Sequence, residues 1–241
     1  MKHSTRHIFG IDCALAETST LGRLAAFRPL AVGVATEVFA AQGWPRLVEC
    51  ATRWSRTALE LSALTAAELV SAVSYVRAGG PPVRYLSVHA PVMPVGEPWL
   101  LAQLREAQSW FAAVIQHPHT LADPVPLSAL GPRLLLENMD AQKPTGRVVK
   151  ELEPYFRSLP DAGFCLDVAH VRTVDPSMRL GHELIDVYAS RLREVHVSAI
   201  DGDCTHLPLD AASIELYAPL LRRCRHVPWI LESLPADLPA T

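Results

Sequence analysis

The chain alternates between short apolar runs, rich in β-branched residues, and longer stretches that carry apolar residues at helical spacing. This alternation is typical of repeated strand–helix units, and strands that are apolar throughout are typical of a parallel sheet buried on both faces. The predicted strands are HIFGIDC (7–13), TALELS (57–62), VRYLSVH (83–89), FAAVIQH (111–117), RLLLEN (133–138), GFCLDV (163–168), EVHVSA (194–199) and WILES (229–233). Eight strands of this kind predict a (β/α)8 TIM barrel that spans residues 1–241 as one domain.

Amphipathic stretches between these strands predict the outer helices. The first has Thr65 as its expected N-cap and a Gly-Gly-Pro-Pro run as its stop signal. Pro154 predicts a kink or a break in a later helix, and Pro176 is expected in the first turn of the helix after that. The predicted helices are residues 65–79, 97–110, 146–159, 176–192 and 211–224.

Two places depart from a regular barrel. The proline-rich segment HTLADPVPLSALGP (119–132) predicts a degenerate fourth helix. Only eight residues follow Ser233, so the eighth outer helix is expected to be missing or replaced. The apolar barrel wall left bare there predicts that the N-terminal segment or a second subunit packs against it, and the second alternative would make the protein a homodimer.

Polar residues recur at or near the ends of the predicted strands, at intervals close to one strand–helix unit except between His117 and Glu137, where the fourth helix is degenerate. They are Glu60, His89, His117, Glu137, Asp167, His196 and Glu232. This period places them at the C-terminal end of the barrel, where active sites of such barrels are built. Because buried charges are costly unless they are paired, a shared divalent cation is the expected partner of these acids and imidazoles.

Three carboxylates and one histidine (Glu137, Asp167, His196 and Glu232) suit manganese, magnesium, cobalt or iron, and can also hold zinc. His170 and His206 lie close enough along the chain to reach the same mouth. Each residue taken alone is more often a hydrogen-bonded structural residue, and Glu60 fits an internal salt bridge as well as a site wall. The complete set at one period favours the metal site.

The composition excludes several classes of function. The hydrophobic fraction is 49%, the charged fraction is 20% and the formal net charge is −3, so nothing draws the protein electrostatically to nucleic acid or to an anionic membrane. The N-terminus does not resemble an export signal, and no apolar run is long enough to span a bilayer. Five cysteines without a C-x-x-C pair indicate neither a disulfide framework nor a zinc ribbon. We therefore expect a cytoplasmic protein with a small-molecule substrate.

The segments LLLENMD, LDVAH, and EVHVSAI followed by HLPL resemble the xylose isomerase-like barrel superfamily. That superfamily includes sugar-phosphate isomerases and epimerases as well as apurinic-site endonucleases, and the resemblance extends from FGIDCAL to WILES. The isomerase branch implies a divalent metal held by Glu137, Asp167, His196 and Glu232. It also implies that both glutamates exchange protons with the carbon next to the substrate carbonyl, and that His170 binds substrate or transfers a proton.

The endonuclease branch implies three zinc ions and additional ligands. The positions that match these ligands are His89, His117, Asp167, His170, His196 and His206. Cys204 stands where that branch has the aspartate of a D-x-H pair, so the metal count stays between one and three.

Charge decides the order of the functional hypotheses. An endonuclease needs a basic surface to neutralise phosphates, and this slightly acidic chain has no Lys/Arg stripe. A metal-dependent isomerase or epimerase of a small sugar or related hydroxy-carbonyl compound is therefore the first hypothesis, and a zinc-dependent phosphodiester hydrolase is the second. A metal-dependent enzyme of natural-product or peptide modification, or a non-catalytic relative, stays open because the fold does not settle the chemistry.

Overall fold

A computed structural model describes residues 19–237 of the chain. Eight strands form one parallel sheet in the order β1-β10-β7-β6-β5-β4-β3-β2, and β8 and β9 form a separate antiparallel hairpin. The strands are β1 (Ala31–Val34), β2 (Ala58–Ser62), β3 (Tyr85–His89), β4 (Ala113–Gln116), β5 (Leu134–Glu137), β6 (Gly163–Asp167), β7 (Leu192–Val197), β8 (Ala199–Ile200), β9 (His206–Leu207) and β10 (Pro228–Leu231). The predicted (β/α)8 barrel is confirmed.

Helices lie between the strands and cover the outside of the sheet. They are α1 (Thr20–Ala26), α2 (Trp44–Trp54), α3 (Ala66–Arg77), α4 (Glu97–Ala107), α5 (Val149–Ser158), α6 (Val168–Val174), α7 (Arg179–Tyr188) and α8 (Ala211–Leu221). Between residues 19 and 237, no helix is both long and apolar enough to cross a membrane.

The first strand of the sheet is β1, which was not predicted from the sequence, and the strand predicted at 7–13 lies outside the described residues. Glycine weakens a strand prediction, and β1 contains Gly33 at its centre. The barrel needs that glycine because a Cβ atom there would lie 2.7 Å from the carbonyl carbon of Ala58 and from a methyl group of Ile230. The feature that hides the strand in the sequence is thus the one that lets the barrel close.

The barrel closes between β1 and β2 through a single backbone bridge, between Ala35 and Glu60. Side chains supply other connections across this joint. The hydroxyl of Ser55 donates to the carbonyl of Val32 at 2.6 Å. The joint is therefore made mostly of side-chain hydrogen bonds, whereas every other neighbouring pair of strands is paired over three or more residues, with one register shift between β6 and β7.

The helix signals were mostly correct. Thr65 and Glu68 form a reciprocal capping box at the start of α3, as the sequence predicts. The helix α5 runs from Val149 to Ser158 with Pro154 inside it, so the helix is not split at this proline. Pro176 does not lie in the first turn of α7, which begins only after Met178 adopts a left-handed conformation with φ of 61°.

The fourth outer helix is replaced by two 3-10 segments, Pro118–Thr120 and Val125–Arg133. The second segment is interrupted at Gly131, whose φ is 56°. The degenerate fourth helix predicted from the prolines is therefore confirmed.

The helix α1 occupies the place of the missing eighth helix. Leu24 is fully buried, and the ring of Phe27 lies 5.7 Å from that of Trp229 in β10. The backbone N–H of Thr20 donates to the carboxylate of Asp237 at 2.8 Å, which fixes the start of α1 to the end of the chain. The N-terminal alternative is confirmed, so the bare wall no longer argues for a homodimer, which stays a prediction.

Candidate metal centre

Four of the predicted site residues meet at the C-terminal mouth of the barrel. Glu137 and Asp167 end β5 and β6, His196 lies in β7, and Glu232 follows β10. Asp167 and His196 are paired in register, so both side chains point to the same face of the sheet. One potential ligand atom of each residue lies within 4.8 Å of the others, and all four side chains are buried.

Each of these four residues has one buried polar atom without a hydrogen-bond partner. The atoms are Glu137 Oε1, Asp167 Oδ2, His196 Nδ1 and Glu232 Oε2. Buried polar atoms are normally satisfied because desolvation without a partner costs roughly 1–3 kcal/mol each, and more for charged groups. Three oxygens and one imidazole nitrogen form a donor set that a divalent cation satisfies. The residues present therefore fit the metal that the sequence predicts.

A second set of ligand atoms adjoins the first and shares Glu137 with it. The Oε2 atom of Glu137 lies 3.3 Å from Nε2 of His89 and 3.2 Å from Nε2 of His117. The Nδ1 atom of His89 donates to the carbonyl of Ala90 at 2.8 Å when it carries the ring proton, which leaves Nε2 as the atom that faces the site. His117 follows β4, so its position also results from the strand-end pattern.

The two histidines respond differently to the same carboxylate. Burial acts to lower the pKa of both rings. For His89, the hydrogen bond and the charge of Glu137 outweigh burial and raise the pKa to about 9. For His117, burial prevails and lowers the pKa to about 4. His117 is therefore a neutral imidazole, the form that binds metals.

A third set consists of Asp167, His170 and His206. The Nδ1 atom of His170 lies 2.9 Å from the backbone carbonyl of Asn138. A carbonyl oxygen only accepts hydrogen bonds, so Nδ1 is the donor. This bond turns Nε2 of His170 toward Nε2 of His206, 3.4 Å away. Two ring nitrogens that face each other at this distance need a proton or a cation between them.

Asn138 explains why the motif LLLEN matters for this geometry. Its side-chain amide donates to the carbonyl of Asp167 at 2.9 Å and its Oδ1 accepts from the Asp167 N–H at 2.9 Å. The side chain of Asp167 in turn caps α6 by accepting from the backbone N–H of His170 at 2.7 Å. Asn138 thereby locks the ends of β5 and β6 together and sets the positions of two predicted site residues.

Cys204 does not belong to any of these three sets. It has a left-handed backbone, with φ of 58°, and burial together with the nearby charge of Asp140 raises the pKa of its thiol. All eight predicted site residues, in contrast, are brought together in the three sets, and these are Glu137, Asp167, His196, Glu232, His89, His117, His170 and His206. Their roles as ligands stay predictions.

Glu60 lies below the mouth rather than in it. Its carboxylate is 3.4 Å from Nε2 of His196 and accepts from the hydroxyl of Ser87 at 3.2 Å. Between residues 19 and 237, the ion-pair partners of Glu60 and Glu137 within 4 Å are all histidines. An ordinary salt bridge to lysine or arginine, the structural alternative for both residues, is therefore not what neutralises them.

Two acidic residues near the site were missed in the sequence. Glu194 lies two residues before His196 on the same inward face of β7, and burial raises its pKa to about 7. Alternate residues of a strand point to the same face, so placing His196 on the inward face of EVHVS would also have placed Glu194 there. Glu37 follows β1 at the mouth, where its carboxylate groups with His206 and Glu232. It was missed because β1 itself was missed.

No family model and no curated protein matches the chain in sequence. Solved structures do match it. A 3-keto-D-glucoside 4-epimerase from E. coli is 12% identical with a TM-score of 0.56, over 86% of this chain and 94% of that one. A D-psicose 3-epimerase is 11% identical with a TM-score of 0.56, over 85% of each chain. Endonuclease IV from Thermus thermophilus is 19% identical with a TM-score of 0.54, over 88% of this chain and 93% of that one.

The chain shares its overall fold with these three proteins. The fold expected from the motifs LLLENMD, LDVAH and EVHVSAI is thereby confirmed. At identities of 11% to 19% the likeness extends to the fold alone, since one barrel can host many reactions. The chemistry of this barrel has to be argued from its own residues.

Proposed function

We propose that this chain is a divalent-metal-dependent isomerase or epimerase of a small hydroxy-carbonyl compound such as a sugar. The observation that carries the proposal is the set of unpartnered buried atoms on Glu137, Asp167, His196 and Glu232. Four such atoms in one place are costly without a partner, and one cation can satisfy all of them.

The charge of the surroundings supports a bound cation. Five buried carboxylates lie in or just below the mouth, on Glu60, Glu137, Asp167, Glu194 and Glu232. Like charges this close disfavour ionisation of one another. In the part of the chain from residue 19 to 237, the ion pairs within 4 Å of these acids are all to histidines. A divalent cation would supply the missing positive charge.

When bound, the cation would polarise the carbonyl and hydroxyl oxygens of the substrate and make the adjacent C–H bond more acidic. Glu137 and Glu232 both approach Nδ1 of His196, at 3.3 and 2.9 Å, so both carboxylates lie beside the same point. We assign opposite halves of the exchange to these two carboxylates: one, in its ionised form, removes the proton from the carbon and leaves protonated, and the other, in its protonated form, delivers a different proton to the opposite face.

His170 is the remaining catalytic assignment. Its hydrogen bond to Asn138 and its buried position in α6 fix the ring, and its Nε2 atom faces His206. A ring held in this way can bind a substrate oxygen or pass a proton to it. This role complements the two glutamates, which act on carbon.

Solvent exchange tests the proposal directly. Purified protein would be incubated in D2O with manganese or cobalt and a panel of ketoses and aldoses, each tested in its free and its phosphorylated form. We expect deuterium at the carbon next to the carbonyl of at least one compound, and no exchange after chelation. Metal-loaded protein that exchanges no proton in any hydroxy-carbonyl compound would contradict the proposal.

A second function, metal-assisted hydrolysis of a phosphoester, is favoured by one observation. Glu137 belongs to two ligand sets and Asp167 belongs to two, and shared carboxylates are typical of multinuclear hydrolytic centres. Metal analysis together with cleavage of DNA that contains an abasic site tests it. Two or three zinc ions per chain with cleavage would favour the hydrolase, and cleavage absent from zinc-replete protein would exclude this substrate.

A further inference from the structure

The layer of side chains directly below the mouth is unusually polar. Barrel interiors of this fold class are generally filled by bulky branched apolar residues. Here the layer contains the side chains of Glu60, Ser87, Cys165 and Glu194, which are 0% or 1% exposed. A carboxylate placed there is expensive unless it is fully hydrogen-bonded, so its partners indicate what it does.

Glu194 has a partner on each carboxylate oxygen. Its Oε1 atom lies 3.0 Å from Nε2 of His196 and 3.3 Å from the hydroxyl of Ser87, whose single proton Glu194 and Glu60 share. Its Oε2 atom accepts a short hydrogen bond from the hydroxyl of Tyr85, which reaches up from the start of β3. Glu60 also lies near Nε2 of His196, but at 3.4 Å. Glu194 is thus the closer acceptor and is itself anchored from below.

This contact determines which nitrogen of His196 faces the mouth. When Glu194 is ionised it only accepts hydrogen bonds, and Nε2 of His196 then carries the proton that it donates to Glu194. In the neutral ring the lone pair is then on Nδ1. The Nδ1 atom is the one that lies near Glu137 and Glu232 and has no hydrogen-bond partner.

We infer that Glu194, held by Tyr85, is a positioning residue that orients His196 so that its Nδ1 atom is presented to a divalent cation at the mouth. The inference rests on the proposed metal centre and adds to it the part of the chain that prepares one ligand from beneath. Outer partners of metal-bound histidines act in this way in general, and their loss lowers metal affinity about 10- to 100-fold.

The test compares variants of the full chain for zinc affinity, measured by competition with a chromophoric chelator on metal-free protein. Glu194→Leu removes the acceptor and is expected to weaken zinc binding about 10- to 100-fold. Glu194→Gln keeps an acceptor oxygen and should restore part of that loss. Tyr85→Phe keeps the Glu194 carboxylate but removes the hydrogen bond that anchors it, so a smaller loss of zinc affinity is expected. Glu153→Gln on the exposed face of α5 is the control and should bind as the wild type does.

A spectroscopic signature separates orientation from simple packing. In zinc-loaded wild-type protein, the nitrogen spectrum of the His196 ring is expected to show a protonated Nε2 and a metal-bound Nδ1. In Glu194→Leu the Nε2 proton should exchange with water too fast to be seen. If Glu194→Leu does not fold, judged by circular dichroism, Glu194→Gln and Tyr85→Phe decide the result by affinity.

The outcomes distinguish the two levels of the argument. Wild-type protein that binds zinc while every foldable Glu194 and Tyr85 variant binds it equally well would overturn this inference and leave the proposed metal centre standing. Zinc bound through Nε2 of His196 would do the same. Wild-type protein that binds neither zinc, manganese nor cobalt would overturn both.

Discussion

The Nδ1 atom of His196 lies 2.9 Å from Oε1 of Glu232, across the neighbouring strands β7 and β10. The two groups are close, yet Nδ1 makes no hydrogen bond of acceptable geometry. A nitrogen lone pair and a carboxylate oxygen repel each other unless a proton or a cation is shared between them. This contact links the strand-end pattern of the sequence to the chemistry of the mouth.

Glu137→Gln tests the residue on which two ligand sets depend. Because Glu137 is a candidate ligand in both sets, removing its charge weakens metal binding by both. We expect metal affinity to fall by at least about 100-fold, which is the largest loss typical of residues that only support a ligand. Isothermal titration with manganese and zinc measures this loss, and circular dichroism checks that the barrel is intact. Glu153→Gln, at an exposed ion pair on α5, is the matched control. Affinity within threefold of wild type would remove Glu137 from the site.

His117→Ala tests whether the second set binds an ion of its own. His117 contacts Glu137 and lies apart from His196 and Glu232, so the variant should lose one equivalent of metal per chain and keep another. Elemental analysis after gel filtration measures the content. His226→Ala, at an exposed position before β10, is the control and should retain the wild-type content. Equal content in His117→Ala and wild type would show that the second set holds no separate ion.

Leu24→Ala tests the role of α1 as the replacement for the eighth helix. Leu24 is fully buried against the barrel wall, and truncating a buried leucine typically lowers the free energy of unfolding by about 2–5 kcal/mol. Urea denaturation measures the change. Leu30→Ala, at a leucine that is 68% exposed, should change it by less than about 0.5 kcal/mol. Equal stability of the two variants would mean that α1 does not cover the wall.

Glu97→Gln tests how the shortened fourth connection is held. Partial burial acts to raise the pKa of Glu97, but hydrogen bonds from backbone N–H groups, including those of Ala122 and Asp123, outweigh it and lower the pKa below its ordinary value. A lowered folded-state pKa stabilises the protein above the unfolded pKa, and this contribution is lost as pH falls through the folded pKa. At pH 7 we expect the variant to be less stable by about 1 kcal/mol.

The difference between Glu97→Gln and wild type should shrink steadily below about pH 4.3, the ordinary pKa of glutamate. Urea denaturation at several pH values between 7 and 3.5 measures it. Glu106→Gln, on the exposed side of the same helix, should differ from wild type by no more than about 0.5 kcal/mol at pH 7. A Glu97→Gln deficit that does not depend on pH would show that its charge is not what holds the connection.

The sequence predicted the barrel and the mouth because both follow from periodicity. Buried parallel strands are apolar throughout, so the polar residues at their ends, such as Glu137 and Asp167, stand out against the pattern. Repetition at one strand–helix period then places them on one rim, where the structure brings together all of them except Glu60.

The sequence did not predict features that depend on close packing between distant segments. β1 was missed because Gly33 is needed for contact with β2, which only the closed barrel reveals. Glu194 and Tyr85 are 109 residues apart, and nothing local to either residue indicates their hydrogen bond.

The joint between β1 and β2 has fewer backbone hydrogen bonds than the opposite side of the mouth. In the ring of eight strands, β5 and β6 lie opposite this joint and are tied by a continuous ladder and by Asn138. Local opening begins where the fewest backbone hydrogen bonds must break. Transient opening of the barrel would therefore start beside Glu37 and leave Glu137 and Asp167 in place. The rim would thus combine a rigid part that holds the reacting groups with a more mobile part through which substrates of different sizes could enter.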